Sequence, residues 1–175
     1  MLKYTTAQVT FREIPDEITL CINISNCPIH CPDCHSKELW NNVGIELTPK
    51  EFNNLIEENK GITCICFMGG YWPDIYKLLE TWKYQYNKKP LFLPFKLGWY
   101  TGISDIKTFF NSKESHFWSN FIRWIKYVKF GQYIKELGPL DSPTTNQRFY
   151  KAKDVYLLDP LDYYEDMTYK FWKKD

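Results

Sequence analysis

The stretch from Asn26 to Trp40, NCPIHCPDCHSKELW, limits the fold more than any other part of the chain. It places Cys27, Cys31 and Cys34 within eight positions, broken by Pro28 and Pro32. Two prolines and polar neighbours exclude a buried strand or a helix interior, so the segment is a loop. The residues before it, Ile18 to Ile24 (ITLCINI), are short, apolar and β-branched, which predicts a strand running directly into that loop. Whatever the chain folds into must present three thiols from one loop at the end of one strand.

The spacing C-x3-C-x2-C lets thiolates converge on one small object from the same side. A structural zinc normally takes four protein ligands, usually as two separated pairs. His30 or His35 would have to complete a Cys3His set, and His35 directly follows Cys34, so the two side chains point apart. An iron–sulfur cube accepts three thiolates on three irons and leaves the fourth iron open. The remaining alternative is three cysteines that pack as small hydrophobes. Spacing alone leaves cluster, zinc and no metal open.

The rest of the chain predicts what carries the loop. Thr48, Pro49 and Glu51 form an N-cap, N1 and N3 set that opens a helix. Leu47 and Phe52 are placed for a hydrophobic staple, and Phe52, Leu55 and Ile56 share a face. Ile62 to Met68 (ITCICFM) is continuously apolar, as in a strand buried on both faces, and Gly69-Gly70 ends it. Ile75, Leu78, Leu79 and Trp82 mark an amphipathic helix starting near Pro73. LGWYTG predicts a third strand closing on Gly102, Asp105 to Phe110 a short helix, and FIRWIKYVKFG a fourth strand ending at Gly131.

Strand–helix alternation with short links predicts an α/β fold of right-handed parallel units, with ligands bound at the carboxyl ends of the strands. The cysteine loop, Gly69-Gly70 and YTG all follow strands and are expected to converge on one rim. With 175 residues, a single domain is expected, with an acidic, aromatic, then basic tail from about residue 159. A net charge of +1 with interspersed signs offers no electrostatic case for nucleic acid or membrane as a partner. No apolar run approaches a membrane span and the N-terminus lacks a signal-like core, so a cytoplasmic protein is expected. In that compartment clustered cysteines read as metal-binding or catalytic rather than as a disulfide framework.

NISNCPIHCPDCHSKELW, CFMGG, YTG and ELGPLDSPTTNQRFY, in that order, resemble the radical S-adenosylmethionine (radical SAM) enzymes. Within them, the similarity is to the activating proteins of anaerobic ribonucleoside-triphosphate reductase, and it covers about residues 8 to 152. The resemblance implies a compact, incomplete and open radical SAM barrel with parallel strands and outer helices, since the chain is too short for a full barrel of about 250 residues. It implies a 4Fe–4S cluster held by Cys27, Cys31 and Cys34, whose open iron binds SAM. Reductive cleavage of SAM would then generate a glycyl radical on the partner reductase. His35, Met68, Gly69, Gly70, Thr101 and Asn146 are implied as SAM contacts. The cofactor and cosubstrate carry the hard chemistry, so no general acid–base pair is implied among catalytic residues. The implied partners are the glycyl-radical subunit of the reductase and an electron donor such as flavodoxin or ferredoxin.

Several positions depart from the family pattern. Tyr71 stands where an acidic residue usually follows the glycine pair, and a phenol supplies no negative charge at neutral pH, so Asp74 is the candidate replacement. Asn26 and Asp33 replace glycines, the first tolerable because asparagine visits positive φ, the second placing a carboxylate beside the cysteines. In NQR, Arg148 is open to a carboxylate-binding role or a structural one, with Asn146 and Gln147 beside it. Cys21, Cys64 and Cys66 read as core residues rather than ligands, and His116 has no partners in the pattern. The alternative functions are a radical SAM enzyme acting on another peptide or small molecule, and a non-catalytic metal-bearing interaction module.

Overall fold

The computed structural model describes residues 1–87, 93–110, 124–154 and 160–172. His116 and the last three residues of the tail lie outside them. The described chain forms a mixed α/β structure of two compact units, the first comprising 1–28 and 36–97, the second 29–35 and 98–175. Among the described residues no helix is long and apolar enough to cross a membrane.

In the first unit, β1 (Lys3–Thr10), β2 (Thr19–Ile24), β3 (Ile45–Glu46) and β4 (Cys64–Gly69) lie in the order β3-β1-β2-β4, followed by the first residues of β5 (Lys96–Tyr100). β2 and β4 pair in parallel from Thr19 opposite Cys64 to Ile24 opposite Gly69, with α1 (Pro49–Glu58) in the connection. This is the βαβ unit that the alternating pattern predicts. Four of the five pairings resolved among the described residues are nevertheless antiparallel, which corrects the expectation of a parallel sheet. β1 is the reason on this side. KYTTAQVT is threonine-rich and half exposed, so it lacks the apolar run that marks a strand, yet it pairs with β2 through most of its length.

α1 begins as the cap residues dictate: Thr48 Oγ1 accepts from the Glu51 backbone N–H at 3.1 Å, with Pro49 at the first helical position. The return half of the capping box is absent, because Glu51 Oε1 instead accepts from the Tyr4 hydroxyl at 2.7 Å. Burial, then this carboxylate, push the Tyr4 phenol up to about 12. The core of this unit joins Phe52 with Phe67, Trp82 and Phe95, ring to ring. Trp82 comes from α2 (Trp72–Tyr86), whose buried face is Trp72, Ile75, Leu78, Leu79 and Trp82. At the amino ends of the strands, the buried Glu17 carboxylate accepts from Thr63 Oγ1 at 2.6 Å and from Lys96 Nζ at 2.5 Å.

The second unit takes the remainder of β5, then β6 (Ile125–Phe130), β7 (Arg148–Ala152) and β8 (Tyr164–Asp166), with α3 (Ile106–Phe110) and α4 (Pro160–Tyr163). β6–β7 and β7–β8 are both antiparallel, a return of the chain that the strand–helix alternation of the first half does not foreshadow. Its core packs Trp99 and Phe130 at steep angles on Phe109, stacks Tyr127 on Phe149 and sets Phe171 edge-on to Phe149. The tail is therefore partly structural: Tyr164 donates its hydroxyl to Ile125 O at 2.8 Å, and Thr168 Oγ1 accepts from Phe149 N at 2.9 Å.

Candidate functional site

β2 delivers the chain to the cysteine loop, and backbone bonds hold the entry. Asn26 N–H donates to Asn41 O at 3.0 Å and Cys27 N–H to Leu39 O at 2.9 Å. Asn26 sits at φ 57°, the left-handed region that asparagine tolerates in place of glycine. Because β2 and β4 are parallel with Ile24 opposite Gly69, both loops leave the same end of the pair.

Gly69 and Gly70 both have positive φ, 77° and 79°. A Cβ on Gly69 would sit 3.6 Å from Cys27 Sγ, in ordinary contact. A Cβ on Gly70 would meet Ile24 Cγ2 at 2.5 Å, so no side chain fits there. Torsion therefore asks for glycine at both positions, and space asks for it only at Gly70, against Ile24. Met68 turns its sulfur toward Cys66 Sγ, 3.7 Å away, on the face it shares with that residue. Tyr71, 37% exposed, precedes the first turn of α2, and Asp74 lies within that turn.

Cys31 and Cys34 belong to the second unit. Cys34 N–H donates to Cys31 O at 3.0 Å, closing the turn that spaces the two thiols. Gly102, which follows the YT of YTG, packs against this turn: a Cβ there would lie 2.7 Å from both Cys31 Sγ and Ile29 Cγ2. The expectation that YTG, following a strand, meets the cysteine loop takes its specific form in this contact of Gly102 with Cys31. Thr101 is buried, its N–H donates to Lys129 O at 2.9 Å and its Oγ1 accepts from Ile103 N at 3.3 Å.

His35 lies against Tyr133, ring centroids 4.2 Å apart, and Asp33 Oδ2 accepts from Lys135 N at 3.2 Å. Asp33 is not at positive φ, so glycine is not needed there. Tyr133 is a contact that the sequence pattern did not signal. Asn146 Nδ2 donates to Gln132 O at 3.0 Å, while its Oδ1 is buried without a hydrogen-bond partner among the described residues. Arg148 turns inward on its own loop, donating to Thr145 O and Gln147 O at 2.7 and 2.8 Å, with Asp166 at 3.9 Å. Those bonds give it a loop-bracing role.

The two sets of cysteines differ in environment. Cys27, Cys31 and Cys34 are half-buried, Cys21, Cys64 and Cys66 are buried, and none of the six is in a disulfide. Burial, reinforced by Glu17 and Cys21, pushes the Cys64 thiol up, and burial, reinforced by Cys21, pushes Cys66 up. Those three sit as core residues. Among the described residues no three His, Cys, Asp or Glu side chains are grouped to hold a metal ion. A cube asks for a different arrangement from a single ion, one thiolate for each of three irons. Cys27 in the first unit, and Cys31 and Cys34 in the second, are each half-buried and carry the donor chemistry that such a group takes.

No family model, curated protein or solved structure matches this chain.

Proposed function

We propose that the chain is a radical SAM activase that forms a glycyl radical on an anaerobic ribonucleotide reductase. The observation that carries this reading is the close approach of a strand-end glycine to a motif thiol, Gly102 against Cys31 Sγ, where a Cβ would lie 2.7 Å away. A loop that only packed as core would need no bare backbone beside its thiols. Cys27, Cys31 and Cys34 would hold a 4Fe–4S cluster, and a bound cluster supplies the electron that cleaves SAM to methionine and a 5′-deoxyadenosyl radical.

The protein's own part is to bind and to orient. Gly69 and Gly70, both at positive φ, would present backbone to the methionine end of SAM, and the buried Asn146 Oδ1 offers an acceptor that seeks a donor. His35, Met68 and Thr101 complete the proposed contacts. The finer fold reading, an open and incomplete radical SAM barrel, rests on the β2–α1–β4 parallel unit. The partners in this reading are the glycyl-radical subunit and a flavodoxin- or ferredoxin-type donor in the cytoplasm.

A second reading, the same chemistry on another peptide or small molecule, is favoured by Tyr71, which brings no charge to meet an ammonium. The test is 5′-deoxyadenosine release from SAM by anaerobically reconstituted, dithionite-reduced protein, with Cys31→Ala beside it. Release that depends on Cys31 supports radical SAM chemistry. A glycyl radical signal with the reductase then selects the first reading, and release without that signal selects the second. No release from fully iron-loaded protein overturns both.

A further inference from the structure

The segment Gly131–Leu137 touches the second half of the cysteine loop twice, through Tyr133 on the His35 ring and through Lys135 N–H on the Asp33 carboxylate. These contacts flank Cys34 on both sides. The segment is itself pinned from behind. Gly131 O accepts from Gln147 Nε2 at 3.2 Å and Lys129 Nζ at 3.1 Å, and Gln132 O from Asn146 Nδ2 at 3.0 Å. Leu137 O accepts from Thr144 Oγ1 at 2.9 Å. A chain of bonded groups therefore runs from the TTNQ run, through 131–137, to the residues on either side of Cys34.

We propose that Asp33 and Tyr133 are positioning residues that latch the Cys31–Cys34 turn in its ligand-ready shape. The proposal rests on the cluster reading above, but the latch is a property of the protein without metal. Asp33 acts as an acceptor for a backbone N–H and not as a charge, and Tyr133 acts through its ring face and not its hydroxyl. Outer contacts of this kind orient ligands, and losing one typically weakens metal binding roughly 10- to 100-fold.

The test uses the full chain in two states. In metal-free protein, iodoacetamide labelling is followed at Cys27, Cys31 and Cys34 separately by peptide mass. In anaerobically reconstituted protein, iron loss to a chelator is timed. Asp33→Ala and Tyr133→Ala are expected to speed labelling of Cys34 and iron loss about ten-fold, leaving the Cys27 rate unchanged. Asp33→Asn and Tyr133→Phe, which keep the acceptor and the ring, are expected to match the wild type. Equal acceleration at Cys27 would mean general loosening and would overturn the latch. So would wild-type rates in both alanine variants, or Asp33→Asn behaving like Asp33→Ala. If the wild type takes up no cluster the activase reading fails, and the labelling arm alone still decides the latch.

Discussion

Cys21, Cys64 and Cys66 lie on β2 and β4, sealed in the core, whereas Cys27, Cys31 and Cys34 lie a few residues further on, in a loop where each residue is half-buried. The same side chain is inert in one place and available in the other, and the backbone makes the difference. In the strands, Cys21 stands opposite Cys66 in the parallel register, and apolar packing favours the protonated thiol. In the loop, prolines prevent a ladder from forming and glycines keep the neighbouring backbone bare. Cysteine count therefore says little about function, while the element that carries each cysteine says a great deal.

The contrast can be strained at its glycines and at its core. Gly70→Ala should have the largest effect on stability, about 3 kcal/mol, from a positive φ and a methyl forced into Ile24. Urea unfolding measures it, and a loss below about 1 kcal/mol would mean that the strand end relaxes freely. Cys66→Ser should cost about 2 kcal/mol by burying a hydroxyl in an apolar site, with iron uptake unchanged. Loss of iron in that variant would break the division between core and loop thiols.

Gly102→Ala should be milder in the same unfolding assay, about 1 kcal/mol, because Gly102 is not at positive φ and only the close contact has to relax. Its iron uptake should fall disproportionately, since the methyl displaces Cys31. The smallest effect is an alkaline one. Cys64 and Cys66 titrate above the ordinary thiol value of 9.0 when folded, so above that value the unfolded chain has lost protons that the native chain keeps. Their contribution is fully present at neutral pH and declines as pH rises past about 9. A melting temperature that is flat from pH 6 to about 8 and falls beyond pH 9 is the expected profile.

Local chemistry was the legible part of this fold. Thr48 and Pro49 start α1 because capping is settled within one turn, and Gly69-Gly70 ends β4 for the same kind of reason. What depends on distant partners was not legible. Glu51 leaves its capping role for Tyr4, 47 residues away, a partner that no local pattern names. β7 and β8 pair antiparallel beside β6 although helix alternation in the first half argued for parallel units throughout. At the site, the loop and the glycine pair could be read from residue type and order. The meeting of YTG with the cysteine loop was expected from its place after a strand, but Tyr133 against His35 was not legible, because it joins segments far apart in the chain with no pattern to name it.

The most direct measurement is iron and acid-labile sulfide per chain after anaerobic reconstitution, in the wild type, in Cys27→Ala/Cys31→Ala/Cys34→Ala and in Cys21→Ala. About four irons with matching sulfide in the wild type and in Cys21→Ala, and none in the loop variant, is the expected result. One zinc in place of iron, or iron retained by the loop variant, would contradict a cluster held by these three thiols.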